Sequence, residues 1–188
     1  YYCCAFVPEI GIAVSDVPGG QYEFYDYVRD ENGNIWHQDM PFDPGILFED
    51  KDHIWLYSGF GPDPTPMYTK DMLRQMPPFK DASEAELDAM AKQAEVLHNP
   101  SEGSNCLRLA PDMKTVLKRT VIAPSHQNAS GTSFAKHPFF EASSIRKIND
   151  TYYFVYSSFQ GHELGYATSK YPDHDFEFGG VIISNADL

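Results

Sequence analysis

Residues 137–158 read HPFFEASSIRKINDTYYFVYSS, two strand-like runs joined by an Asn149-Asp150 turn. The second run, 152–158, is mostly aromatic and β-branched, which suits a pleated, half-buried surface. One carboxylate, Glu141, stands at the head of the first run behind Phe139 and Phe140. An acid set against two rings loses hydration, which favours its neutral form. A carboxyl that keeps its proton near neutral pH can hand it to a leaving group. Taken alone, the stretch is more simply read as a rim glutamate beside core phenylalanines.

A second stretch, FDPGILFEDKDHIWLYSGF at residues 42–60, changes that balance. Asp43 follows Phe42 as Glu141 follows Phe140, 98 residues apart, and Leu47 matches Ile145 at the same spacing. After the turn, Leu56-Tyr57-Ser58 matches Val155-Tyr156-Ser157 at 99. A separate echo joins the two ends of the chain. Ala13, Ser15, Pro18, Glu23 and Phe24 match Ala167, Ser169, Pro172, Glu177 and Phe178, all at 154. Repeated β units, each with an acid at the head of its first strand, predict a radial array with those acids converging on an axis.

The units are expected over 1–30 (the later part of one), 42–122 and 137–188. Strands are expected over 1–7, around Ile12 to Val14 and over 22–28, with a polar link and an Asn32-Gly33-Asn34 turn across 31–41. Pro62, Pro64, Pro66, Pro77 and Pro78 keep 61–78 from being regular throughout. Ser83 and Glu86 form a capping box, and Leu87, Met90, Ala91, Ala94 and Leu97 an apolar stripe, before Asn99-Pro100. These predict one helix near 83–98, an insertion with its stripe packed on the edge of a blade. Strands over 105–110 and 115–122 complete the second unit, and 124–136 is a loop. A propeller needs about four blades to close. The 188 residues are therefore expected to be an internal piece of a longer chain.

A net charge of −13 excludes a phosphate backbone or an anionic lipid surface as partner. No apolar run reaches the length needed to cross a bilayer. Cys3, Cys4 and Cys106 lack a disulfide framework and are expected to be free thiols in core packing, with Cys4 as nucleophile the alternative. The seven histidines (His37, His53, His98, His126, His137, His162 and His174) show no metal-ligand spacing. Asn128-Ala129-Ser130 and Asn149-Asp150-Thr151 fit the glycosylation triplet. The chain opens on Tyr1 inside a strand-like run, which leaves localisation open between cytoplasm and secretion.

With the repeat and both acids in view, the chain resembles glycoside hydrolase family 43. The resemblance is strongest in HPFFEASSIRKINDTYYFVYSS and in GHELGYATSKYPDHDFEFGGVIIS, residues 161–184. It is clear in FDPGILFEDKDHIWLYSGF and IGIAVSDVPGG, and weakest through the helical insertion. It implies an all-β fold, a five-bladed β-propeller of which about three blades are present, with one helical insertion. It implies inverting hydrolysis of glycosidic bonds in pentose-containing plant saccharides, of the xylosidase or arabinofuranosidase type. By motif, Glu141 resembles the general acid and Asp43 the aspartate that modulates and orients it. The general base belongs on the opening strand of the first blade, where this sequence offers no candidate; Asp16, Asp26 and Asp30 fall in later strands and turns. The piece by itself is therefore expected to be inactive. Phe42 and Phe140 are candidates for an apolar wall against a sugar ring, and His137 and Arg146 for contacts to sugar hydroxyls; core packing and surface roles are the rival readings. No cofactor is expected, although the resemblance leaves room for a structural calcium on the axis of the full-length protein. The rival functions are a non-catalytic carbohydrate-binding or degenerate propeller, and the related propeller families 62 (inverting) and 32 (retaining).

Overall fold

A computed structural model describes residues 1–4, 8–37, 41–62, 69–97 (backbone only from 93), 101–159 and 163–184. Among the described residues, eleven strands form three antiparallel sheets. The first is β1 (Tyr2–Cys3), β2 (Ile10–Val14) and β3 (Glu23–Tyr27), in that order. The second is β4 (Gly45–Asp50), β5 (His53–Ser58), β6 (Gly103–Leu109) and β7 (Val116–Pro124). The third runs from β8 (Phe139–Ile148) through β9 (Thr151–Ser158) and β10 (Leu164–Ser169) to β11 (Glu177–Ile183). Each is an up-and-down meander whose sequence order is its spatial order, the arrangement of successive propeller blades.

Burial along the strands shows how the sheets stack. In β9 the pattern alternates: Tyr152, Phe154, Tyr156 and Ser158 are buried, and the residues between them are half-buried. In β5 everything after His53 is buried, because both of its faces are covered. Ile54 and Leu56 join Ile10, Ile12, Val28, Leu107 and Leu109 in a core shared with the first sheet. Trp55 and Tyr57 join Phe139, Phe154 and Tyr156 in a core shared with the third. The second sheet is thus the middle layer, and HIWLYS reads as a continuous apolar run for that reason. The buried phenols are satisfied: Tyr57 donates to the Pro172 carbonyl at 2.9 Å and Tyr156 to the His137 carbonyl at 2.6 Å.

The repeat seen at a spacing of 154 holds at the level of hydrogen-bond register. Ala13 pairs with Phe24 and Val14 with Glu23; Ala167 pairs with Phe178 and Thr168 with Glu177. A bulge precedes the alanine in both sheets, between Ile12 and Ala13 and between Tyr166 and Ala167. Ser15 and Ser169 each accept, at Oγ, the N–H two residues ahead, from Val17 and Tyr171. The matched residues thus set a shared bulge and a shared turn.

The helix expected near 83–98 is α2 (Glu84–Leu97), entered through the capping box: the Ser83 N–H donates to Glu86 Oε2 at 2.8 Å, and the Glu86 N–H to Ser83 Oγ at 3.3 Å. Its expected stop, Asn99-Pro100, lies outside the described residues, as do the side chains of Ala94 and Leu97 and the residues Pro64, Pro66, His98 and His162. The helix packs on a second, shorter one, α1 (Lys70–Gln75). Leu73 of α1 and Leu87 of α2 are both buried. Six residues among prolines carry too little periodicity for α1 to be read from sequence. Among the described residues no helix is long and apolar enough to cross a membrane.

The first sheet is tied to the second by main chain and by charge. The Arg29 N–H donates to the Lys114 carbonyl and the Val116 N–H to the Arg29 carbonyl, both at 2.8 Å. Asp26 accepts from Arg29 Nη2 at 2.6 Å and from Lys114 Nζ at 2.8 Å. Those donors, Arg29 foremost, hold its carboxyl well below the usual carboxylate range. A depressed folded-state pKa stabilises the fold above the unfolded value, about 3.9, and that contribution is lost as pH falls through the folded one. Asp26→Asn is therefore expected to lower stability at pH 7 and to flatten the loss of stability below about pH 4. Denaturation midpoints at pH 7 and in acid read this; parallel acid profiles for variant and parent would refute it.

Candidate functional site

The chain closes the two acids together through three glycine-punctuated residues at the end of β5. The Gly59 N–H donates to the Phe42 carbonyl at 3.0 Å and the Gly61 N–H to the Phe140 carbonyl at 2.7 Å. Gly59-Phe60-Gly61 therefore binds the backbone directly before each acid. Phe60, buried, packs its ring on Phe42 (centroids 4.9 Å apart) and on Phe140 (5.2 Å). Glycine is needed at Gly61 for space: a Cβ there would stand 2.7 Å from the Phe139 carbonyl oxygen.

Asp43 and Ala142 both adopt left-handed backbone, at φ 48° and 64°. Aspartate visits that region readily, whereas alanine there carries a cost of about 1–3 kcal/mol, the kind of strain that collects at functional sites. The Ala142 N–H, on the residue after Glu141, donates to Asp43 Oδ2 at 3.2 Å. The pairing of β8 with β9 shifts on both sides of Glu141, between Phe139 and Glu141 and again between Glu141 and Ser144. Bulges re-aim side chains, and these two isolate Glu141 from the regular pleat. The residue itself is half-buried.

Asp43, Glu141, Phe42 and Phe140 thus form one group. Three residues join it that sequence reading passed over: Phe60, Phe159 and His126. The Phe159 ring meets Phe140 edge-on at 6.1 Å and His126 stacks on Phe159 at 4.6 Å. Only Phe60 had a signal, its two flanking glycines; Phe159 and His126 follow the ends of β9 and β7 in segments without a pattern.

His137 and Arg146 stand outside the group. His137 Nδ1 lies 2.7 Å from Glu163 Oε2, and its ring stacks on Phe178 at 4.6 Å. Arg146 is five residues beyond Glu141 on β8, about 16 Å along an extended strand. There it is exposed and donates from Nη1 to the Ile145 carbonyl at 2.6 Å. In the first unit, Asp26 is held in its ion cluster and Asp30 accepts from the Asn32 and Asn34 N–H groups, at 2.9 and 2.8 Å. All three cysteines are free. Burial and the nearby Glu9 carboxylate push the Cys4 thiol up, and burial pushes up that of Cys106, which suits neither as nucleophile. Among the described residues no group of three or more His, Cys, Asp or Glu side chains could hold a metal ion.

Three sheets in meander order, with Asp43 just ahead of β4 bonded to the backbone beside Glu141 near the start of β8, define a β-propeller architecture. Over its full length the chain is 41% identical to a xylosidase/arabinosidase of Thermoclostridium stercorarium, matching 34% of that protein. It is 27% identical over 179 residues to a β-xylosidase of Xylanibacter ruminicola, covering 93% of this chain and 49% of the other. Among solved structures, a β-xylosidase/α-arabinofuranosidase of family 43 from a compost metagenome superposes with a TM-score of 0.58 at 24% identity. That match covers 94% of this chain and 49% of the enzyme, which was crystallised with xylotriose. An α-L-arabinofuranosidase of Clostridium thermocellum gives 0.54 at 22%, over 94% and 45%. No protein-family model matches the chain. In fold the chain matches solved glycoside hydrolases of family 43, and in sequence it is similar to proteins named xylosidase/arabinosidase and β-xylosidase. It spans between a third and a half of the length of these relatives.

Proposed function

We propose that this chain carries the acid side of the active site of an inverting glycosidase acting on pentose-containing saccharides. The bond from the Ala142 N–H to the Asp43 carboxylate carries the reading, since it brings the second acid against the backbone of Glu141. Glu141 is assigned as general acid, donating its proton to the glycosidic oxygen as the bond to the anomeric carbon breaks. Asp43 is assigned to orient it and to bias it toward the protonated state, because neighbouring carboxylates do not readily ionise together. Phe42, Phe60 and Phe140, packed ring on ring, are assigned as an apolar wall beside the pair. The base that activates the attacking water is assigned to a residue of the full-length protein outside this chain, about 6.5–9.5 Å from Glu141, as inversion requires. By itself the chain is accordingly assigned no turnover. The names of its relatives favour xylose or arabinofuranose as the sugar released.

Single displacement makes a stereochemical prediction. Proton NMR during hydrolysis of an aryl β-xyloside by the full-length protein is expected to show α-xylose first, followed by mutarotation. First appearance of the β-anomer would replace single by double displacement and remove the base from the scheme.

A further inference from the structure

The strands that follow Asp43 and carry Glu141 lie side by side with no main-chain ladder between them: among the described strands β4 pairs with β5 and β8 with β9. Three contacts fix how far one strand can slide along the other. The first is the bond between Ala142 and Asp43 at the acid end. The second is Gly45, whose Cβ position lies 2.5 Å from the Ser143 carbonyl oxygen, so the two backbones touch. The third lies at the opposite end, where Glu49 meets Lys147. The spacing between those two residues is again 98, so equivalent positions of the two units face each other.

That third contact is more than a surface ion pair. Glu49 Oε1 accepts from Lys147 Nζ at 2.7 Å and from the Tyr152 hydroxyl at 2.9 Å, while Oε2 accepts from Trp55 Nε1 at 3.3 Å. Two donors come from the third sheet and one from the carboxylate's own sheet. The Lys147 ammonium also sits 4.9 Å from the centre of the Tyr152 ring. Burial raises the Glu49 carboxyl, but the bonds from Lys147, Tyr152 and Trp55 outweigh it and leave it below its ordinary value. The bond to Glu49 pushes the Lys147 ammonium up. Both stay charged across the neutral range. The cluster borders a groove of about 520 Å³ between the sheets, where Asp50, His53, Arg108 and Asp173 are the other charged or titratable groups.

We infer that Glu49 and Lys147 are positioning residues for the acid pair: their clasp sets the register of β4 on β8, and hence the meeting of Asp43 with Glu141. Exposed ion pairs contribute little stability, so register is the property a part-buried, three-donor cluster can specify. The lever is stiff. Six residue steps separate Asp43 from Glu49, about 20 Å of extended chain, and sliding by one residue moves the acid by about 3.3 Å. A misplacement of about 1 Å is enough to cost up to 10²-fold in rate.

The inference rests on the glycosidase reading above, and the test separates the two. In the full-length protein, Glu49→Gln and Lys147→Met are each expected to lower kcat on an aryl xyloside or arabinofuranoside roughly tenfold with KM within about twofold. Each is also expected to move the alkaline limb of the pH–rate profile to lower pH, because Asp43 no longer sits where it favours the protonated form of its neighbour. The exchange Glu49→Lys with Lys147→Glu is expected to restore much of both. Tyr152→Phe removes one cross-sheet bond without changing charge; it is expected to give a smaller shift in the same direction, and it keeps the test open where a charge variant fails to fold. A lowered Tm with unchanged kcat and pH profile overturns the inference, as does a charge exchange no better than the worse single variant. Those results beside an inactive Glu141→Gln leave the catalytic reading standing; an active Glu141→Gln removes both.

Discussion

Glu141→Gln in the full-length protein is expected to lower kcat by about 10²–10⁴-fold while leaving the thermal midpoint near that of the parent, since general acid catalysis contributes on that scale. Glutamine keeps the volume and the polarity of the side chain and removes only the transferable proton. The loss is expected to depend on the leaving group. A nitrophenolate departs without much help, so hydrolysis of nitrophenyl glycosides falls least. A sugar alkoxide needs its proton, so xylobiose or an arabino-oligosaccharide falls most. That gradient separates an acid from a residue that only shapes the pocket, whose removal affects good and poor leaving groups alike. Near-normal turnover of the natural disaccharide by the variant would sink the assignment.

The second large effect is expected at Gly45→Val, and it is structural first. The position has ordinary backbone dihedrals for any residue; what it lacks is room. A Cβ at 2.5 Å from the Ser143 carbonyl oxygen meets main chain, which cannot rotate aside as a side-chain tip can. The strands must part, which strains the Ala142–Asp43 bond and opens the core shared by the second and third sheets. Overpacking of this kind costs about 1–3 kcal/mol, and branching at Cβ places valine at the upper end. Denaturant midpoints should fall accordingly, and activity should fall in molecules that remain folded. Gly45→Ala is expected to show the same pattern at smaller amplitude. Unchanged stability in the valine variant would mean that the inter-strand contact does not hold β4 against β8.

The contrast between these variants reflects two levels of information in the chain. Local chemistry was legible. The alternation of Tyr152, Phe154 and Tyr156 announced a half-buried strand, Ser83 with Glu86 announced a helix start, and the spacings of 98 and 154 announced repeated sheets. Each is a relation among near neighbours or between equivalent positions, and periodicity records both. The grouping of Asp43 with Glu141 could be expected from equivalence alone. The details around them could not. Phe159 and His126 follow strand ends without pattern, α1 is too short to show a stripe, and His137 is drawn to Glu163 and Phe178 by residues 26 and 41 positions away.

By itself, then, the sequence marked the longer strands and the longer helix, because pleat and helix impose periods of 2 and 3.6 on the placing of apolar residues. Tertiary structure alone decided how the units register against one another. No hydrogen-bonded ladder crosses from β4 to β8, so their alignment depends on a carboxylate held by three donors, a glycine pressed on a carbonyl and an aspartate bonded to the N–H beside Glu141. The spacing of 98 marks equivalent positions in the two units, but the energies of the contacts between them exist only once both sheets have formed.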